Sequence, residues 1–183
     1  MEKEDAMKKK IIAVIAGLTV LLAVGAAAVS AYLTDAESVV NRTTVGGNNI
    51  TIVEEYDPPE EVKPGTVIIK DVKVQNDGPN DCYVRIKALF TDSDMGSYCT
   101  VDWNTTDFAY NAEDGYYYYR AVLKNGEVTP SLFTTITVSS DLPEDEVKAF
   151  SVIVYAESYQ SEGFENDQEA WDHAKRNEQE GQR

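Results

Sequence analysis

The sequence predicts an all-β fold, an antiparallel β-sandwich of jelly-roll or Greek-key type, with a hydrophobic helix before it and a short helix after it. Three observations carry this expectation. Apolar residues recur at alternate positions in short runs rich in Val, Ile, Thr and Tyr. Clusters of Pro, Gly, Asn and Asp punctuate those runs. The stretch 166–177 lacks β-branched residues and carries an apolar stripe at helical spacing.

The first segment is a different kind of sequence. Lys8, Lys9 and Lys10 form a basic cluster, and the 19 residues from Ile11 to Val29 include no charged side chain. This pattern reads as the basic and apolar regions of an export signal. Val29 and Ala31 stand three and one positions before Tyr32, where a signal peptidase needs small side chains, so a cut is expected between Ala31 and Tyr32. The same run is long enough to stay as a transmembrane helix, which leaves retention as the alternative. The chain therefore divides into residues 1–31 as a signal peptide or membrane-targeting segment, 32–165 as an exported β-sandwich, and 166–183 as a short helix with a frayed acidic tail.

The strands follow in order. Residues 38–45 end at Gly46-Gly47, and 49–56 alternate until Pro58-Pro59. Residues 66–75 follow the Pro64-Gly65 turn, and a parity change near Lys70-Asp71 predicts a bulge or an exchange of faces. The run 76–80, Asn-Asp-Gly-Pro-Asn, is the densest turn signal in the chain. Residues 82–90 then alternate cleanly, with Cys82, Val84, Ile86, Ala88 and Phe90 on one face and Arg85 and Lys87 on the other. Residues 91–112 read as a long connection with a short helical turn. Strands resume at 116–123, 132–138 and 149–159, the last two separated by the acidic break 141–146. In 166–177, a helix capped by Asn166 or Asp167 puts Phe164, Trp171 and Ala174 roughly on one stripe.

Composition limits the partners. Residues 32–183 hold 29 acidic and 12 basic residues, a net charge of −17 with His neutral. Such a chain repels nucleic acid and anionic lipid heads, whereas cations and basic surfaces remain open to it. Both cysteines, Cys82 and Cys99, fall in this part. An oxidising compartment permits one disulfide between them, and two reduced core thiols are the alternative.

Candidate chemistry is sparse. The single histidine, His173, lies on the polar terminal helix and reads as exposed, so the imidazole pair of a zinc peptidase is missing. Asp92 and Asp94 precede Gly96 as in the opening of a calcium loop, but Gly96 and Trp103 stand where ligands belong, and a surface turn is favoured. No Gly-x-Ser-x-Gly turn occurs. Neither a catalytic residue nor a cofactor or metal is expected, and the chain reads as a non-enzyme. The run Tyr116 to Tyr119 is the most informative binding feature. Alternation sends Tyr116 and Tyr118 to one face and Tyr117 and Tyr119 to the other, so one pair packs in the core and the other is exposed. Tyr117 and Tyr119 are taken as the interface pair, able to stack on sugar rings or on a protein partner.

Several segments in order resemble one family. Ala31-Tyr32-Leu33-Thr34-Asp35 after the signal, Val45-Gly46, Pro64-Gly65, Val72-Lys73-Val74-Gln75-Asn76-Asp77-Gly78, Tyr83-Val84-Arg85, and Ala156-Glu157-Ser158-Tyr159-Gln160 with Gly163-Phe164 together resemble the TasA and camelysin family. These are exported proteins of Gram-positive bacteria that carry an alternate, SipW-dependent-type signal peptide. The resemblance implies a jelly-roll domain that is secreted or held at the cell surface, an alternate signal peptidase as processing partner, and in some members a place in biofilm matrix fibres. It also implies a donor strand in residues 32–45, with Tyr32, Leu33, Val39 and Val45 as interface positions, added to the sheet of the same or a related subunit. The exported domain is shorter than that of the fibre-forming member, and its two cysteines are not explained by the family. A monomeric adhesion or carbohydrate-binding module kept on the membrane by its N-terminal helix is the alternative function.

Overall fold

The structure, a computed structural model, describes residues 41–44 and 49–181. The expected signal segment, the cut site at Val29, Ala31 and Tyr32, and the interface positions Leu33, Val39 and Val45 lie outside the described residues. What is described is an all-β fold of two packed sheets. Its strands are β1 (Asn41–Thr44), β2 (Ile50–Asp57), β3 (Val67–Asn76), β4 (Cys82–Phe90), β5 (Cys99–Val101), β6 (Phe108–Asn111), β7 (Tyr116–Tyr119), β8 (Phe133–Val138) and β9 (Val152–Gln160). Helix α1 (Ser93–Ser97) follows β4 and helix α2 (Asp167–Gly181) follows β9. One sheet has the order β1-β9-β4-β7-β6 and the other β2-β3-β8-β5. All pairings are antiparallel except that of β1 with β9.

Alternation builds the core. The even-numbered positions of β3 and β4, among them Val72, Val74, Val84 and Ile86, meet Phe133, Ile136 and Val138 of β8 and Val154 and Ala156 of β9 between the sheets. Each such side chain stabilises the fold by about 1.5–3 kcal/mol on burial. The predicted face of 82–90 is thus the core face.

The parity change near Lys70 has a different origin from the expected exchange of faces. The alternation of β3 runs unbroken, with Ile68, Lys70, Val72 and Val74 buried and Val67 and Ile69 exposed. Lys70 occupies an inward position and is neutralised there by Glu54 at 2.9 Å, so a charge interrupts an otherwise apolar inner row. The expected bulge does occur, as a register shift between Ile69 and Val72 in the pairing of β3 with β8.

The turn signal 76–80 is pinned from inside. Buried Asn76 donates its side-chain amide to the carbonyls of Asn80 and Leu123 and accepts from the Gly78 N–H. The Asn76 carbonyl accepts from the N–H of Gly126, which has φ +77° and so needs a residue without a Cβ.

The connection 91–112 holds the expected short helical turn, α1, and also two strands that its sequence does not suggest, β5 and β6. Strands of three and four residues are too short to display a period. Asp92 caps α1 by accepting from the Met95 N–H, and Met95 is buried in the core. At the other end of the chain, Asn166 caps α2 through the Glu169 N–H. The helix continues to Gly181, past the fray expected after Asn177.

Candidate functional site

The densest array of polar and aromatic groups lies on the outer face of the five-stranded sheet, beneath α2. Strand register assembles it. Arg85 of β4 stands opposite Glu157 of β9 on one side and Tyr118 of β7 on the other. The Arg85 side chain donates from Nε and Nη2 to Glu157 Oε2, at 2.7 and 2.5 Å, and from Nη1 to Tyr118 Oη at 3.0 Å. Tyr118 in turn donates a hydrogen bond to Asp114 Oδ2 at 2.5 Å, and Tyr116 donates to Glu157 Oε1 at 2.8 Å. The guanidinium lies over the rings of Tyr116 and Trp171, each with its centre 4.4 Å from Cζ. A planar, delocalised cation accepts rings on its faces and carboxylates at its edge at the same time.

The electrostatics follow from this enclosure. Burial opposes the Arg85 charge, yet the hydrogen bond to Tyr118 and the charge of Glu157 more than offset it and hold its pKa above the ordinary value. Burial would raise the Asp114 carboxyl, but hydrogen bonds from Tyr118 and the Tyr116 N–H, with Arg85 and Lys175 nearby, keep it below the usual range. The phenols of Tyr116 and Tyr118 are pushed up, first by burial and then by the carboxylates they donate to. The array is a charge-compensated fastening in which each ionic group already faces a partner.

A second apolar cluster continues under the helix. Tyr83, Tyr159, Ala170, Trp171 and Ala174 are buried together, with Phe164 and Tyr118 packed against them. Within that stripe, Trp171 and Ala174 are on the docking face of α2 together with Ala170, and Phe164 packs beside them from the turn before the helix. His173 differs from its expected exposed setting: its Nδ1 lies 2.8 Å from Tyr159 Oη and 3.2 Å from Asn177 Nδ2, and its ring packs near Phe164.

The tyrosine run is divided between faces as alternation predicts, but the assignment of Tyr117 and Tyr119 to an exposed interface is corrected. Tyr117 stacks on Trp103 at 4.5 Å within the core, and Tyr119 packs on Phe108 at 5.4 Å. Tyr116 and Tyr118 are also partly covered, by Arg85 and Trp171. The sequence offered no sign that the helix 166–177 would return to cover this face, and without that cover Arg85 reads as an ordinary surface cation.

The two cysteines are free thiols. Cys82 begins β4 in one sheet and Cys99 begins β5 in the other. Burial pushes the Cys82 thiol up to about 12. Asp92 and Asp94 do not converge either: Asp92 serves the helix cap and Asp94 pairs with Lys148 at 2.9 Å. Among the described residues no group of three or more His, Cys, Asp or Glu side chains is placed to hold a metal ion.

A shallow groove of about 170 Å³ adjoins the Arg85 array, between strand β6 and helix α2. Of the residues that form it, sequence reasoning singled out Tyr118 and Trp171 but did not bring them together, because β6 is too short to be seen and the helix docks at a distance in sequence. Compared with protein-family models, with curated proteins and with solved structures, the chain finds no match.

Proposed function

We propose that the chain is an exported, non-enzymatic structural protein of the cell surface or extracellular matrix, with the jelly-roll arrangement of the TasA and camelysin family that its sequence resembles. In this reading an alternate signal peptidase cuts between Ala31 and Tyr32, and the freed segment 32–45 joins subunits by adding a strand to a neighbour's sheet. Until the cut, the apolar segment holds the precursor in the membrane.

The observation that supports it is the pairing of β1 with β9. Among the described strands, β1 is the sole parallel member of an otherwise antiparallel sheet, and it belongs to the segment expected to act as donor. Its register, Asn41 with Tyr155 through Thr44 with Ser158, covers four of the nine residues of β9. A short parallel edge strand makes few hydrogen bonds, and the same main-chain groups accept an identical segment from another subunit equally well. Tethering at the membrane restrains that exchange, and cleavage removes the restraint.

Sequencing of the secreted protein is expected to give Tyr32 as its first residue. The chain beginning at Tyr32 is expected to form oligomers or fibres with rising concentration, seen by sedimentation, while a variant lacking residues 32–45 stays monomeric. A cut protein that remains monomeric at every concentration defeats the assembly reading.

A further inference from the structure

We infer that α2 is exchanged between copies of this chain: the helix of one copy docks on the five-stranded sheet of a second, in the place that copy's own helix otherwise fills. The occupant is already seen in the structure. Every contact that holds α2 on its own sheet is offered unchanged by a neighbouring copy, so exchange replaces each contact by an identical one and costs little.

Three observations make α2 the part that exchanges. Its packing is separate from the sandwich. Ala170, Trp171 and Ala174 are buried against Tyr83 and Tyr159 in a cluster of their own, whereas the core between the sheets takes no described residue from 161–181. Undocking α2 therefore leaves that core intact. Its fit is also incomplete. The Trp171 indole N–H is buried with no hydrogen-bond partner among the described residues, an unfavourable state that docking must offset, and the Lys175 ammonium stays 3.7 Å from Asp114.

The third observation is the connection. Six residues, 161–166, join β9 to α2, and Glu162, Gly163, Glu165 and Asn166 are exposed. Gly163 takes φ +91° with no atom within 4 Å of where a Cβ would stand. The bend is closed by the Phe164 N–H, which donates to the Ser161 carbonyl over a long 3.3 Å. Straightened, six residues reach about 20 Å, which carries the helix to a copy lying face to face.

The face that α2 leaves selects the same helix. Glu157 and Tyr118 hold Arg85 from the sheet side. Of the two rings 4.4 Å from its guanidinium carbon, Tyr116 stays and Trp171 departs. What remains is a fixed cation ready for an indole, with Tyr83 and Tyr159 beside it to receive the two alanines. Concentration decides the outcome. A tethered helix meets its own sheet at an effective concentration in the millimolar range, roughly, so exchange grows as the chain itself approaches that level. Reciprocal exchange occupies both faces and closes at two copies, so it is independent of strand addition at the β1 edge.

The test uses full-length chains in mild detergent, with Cys82→Ala and Cys99→Ala. One carries Ala109→Cys and another Gln168→Cys, positions on β6 and α2 that line the same groove. Mixed at about 1 mM and treated with a short bis-maleimide, they are expected to give a covalent heterodimer, with a yield about tenfold or more lower at about 10 μM. A chain with both substitutions is expected to close on itself at either concentration. Separately, a synthetic peptide of residues 161–181 is titrated against the full chain with Trp103→Phe and Trp171→Phe, so that the peptide holds the sole indole. Its emission is expected to shift to the blue and saturate, and Ala170→Glu in the peptide to weaken binding about tenfold or more. The inference is overturned if the doubly substituted chain closes on itself while the mixture gives no heterodimer, or if that chain does not close on itself. It is also overturned if the peptide emission does not shift at about 1 mM. Chains lacking residues 32–45 are expected to give the same heterodimer, so failure of strand addition and failure of helix exchange are read apart.

Discussion

Arg85 and Trp171 are stacked, the guanidinium carbon 4.4 Å from the indole ring centre, on a sheet face that the helix covers. This contact joins the two halves of the outer cluster, since Arg85 is fixed by β7 and β9 and Trp171 by α2. A buried cation of this kind stabilises only while its carboxylates and rings stay in place. Arg85→Met would leave Glu157 and Asp114 facing each other's charge without their shared cation. Breaking a buried pair by removing one partner costs about 3–5 kcal/mol, and the helix is expected to detach before the sandwich unfolds. Urea titrations followed by Trp171 fluorescence in a Trp103→Phe background check this. Arg85→Lys should recover only part of the loss, because an ammonium cannot stack and fork together.

Much of the sandwich was legible in the sequence. The strands β3, β4, β8 and β9 are long enough to show their period, and the Asn76 turn, the Asn166 cap and the stripe of Phe164, Trp171 and Ala174 follow from residue chemistry. The site was less so. Arg85 alternates outward from the core, as read, but its burial depends on α2, which is some eighty residues away in the chain, a separation that local pattern does not report. The choice between tyrosine pairs failed for the same reason. Both faces of β7 are covered, one by the opposite sheet and one by the helix, so neither pair is the free surface that alternation alone suggests.

The tyrosines also set an alkaline limit on stability. Burial pushes the Tyr117 phenol up to about 12, and Tyr116 and Tyr118 are raised as well. The unfolded chain therefore loses these protons near pH 10, while the folded chain holds them to higher pH. Their contribution is fully present below about pH 10 and is lost as pH rises through the folded values. Ultraviolet titration of the folded chain is expected to show a group of phenols that ionise only well above pH 10. In the denatured protein all of them should ionise together. Thermal midpoints should fall across the same window.

Lys70 and Glu54 make a separate prediction. Their ion pair is buried on the inner face of the four-stranded sheet, with side-chain exposures of 10% and 13%, and Lys70 also lies 5.2 Å from the Tyr56 ring centre. Glu54→Gln leaves the ammonium without its counter-charge, and a loss of about 3 kcal/mol is expected. Lys70→Met combined with Glu54→Leu replaces the pair by apolar groups and should be near neutral or stabilising. A double-mutant cycle on the urea midpoint gives the coupling. Equal losses in the single and double variants would show that the pair matters through packing and not through charge.

The free thiols can be tested against the disulfide that their spacing permits. Cys82 is fully buried and its thiol is raised to about 12, first by burial and then by the charge of Asp81. Cys99 is partly buried and its thiol is also raised by burial. Thiolate is the reacting species, so both should alkylate slowly in the native protein, Cys82 the slower. Without any reductant, iodoacetamide in urea is expected to add two carbamidomethyl groups to each chain, at similar rates. A secreted chain that takes up label only after reduction would show that Cys82 and Cys99 are bonded after all. Cys82 and Cys99 are the first residues of β4 and β5, which lie in opposite sheets, so a bond would tie the two sheets together. A Cys82→Ala variant should then unfold at lower urea than the oxidised parent by far more than the loss of one small buried side chain.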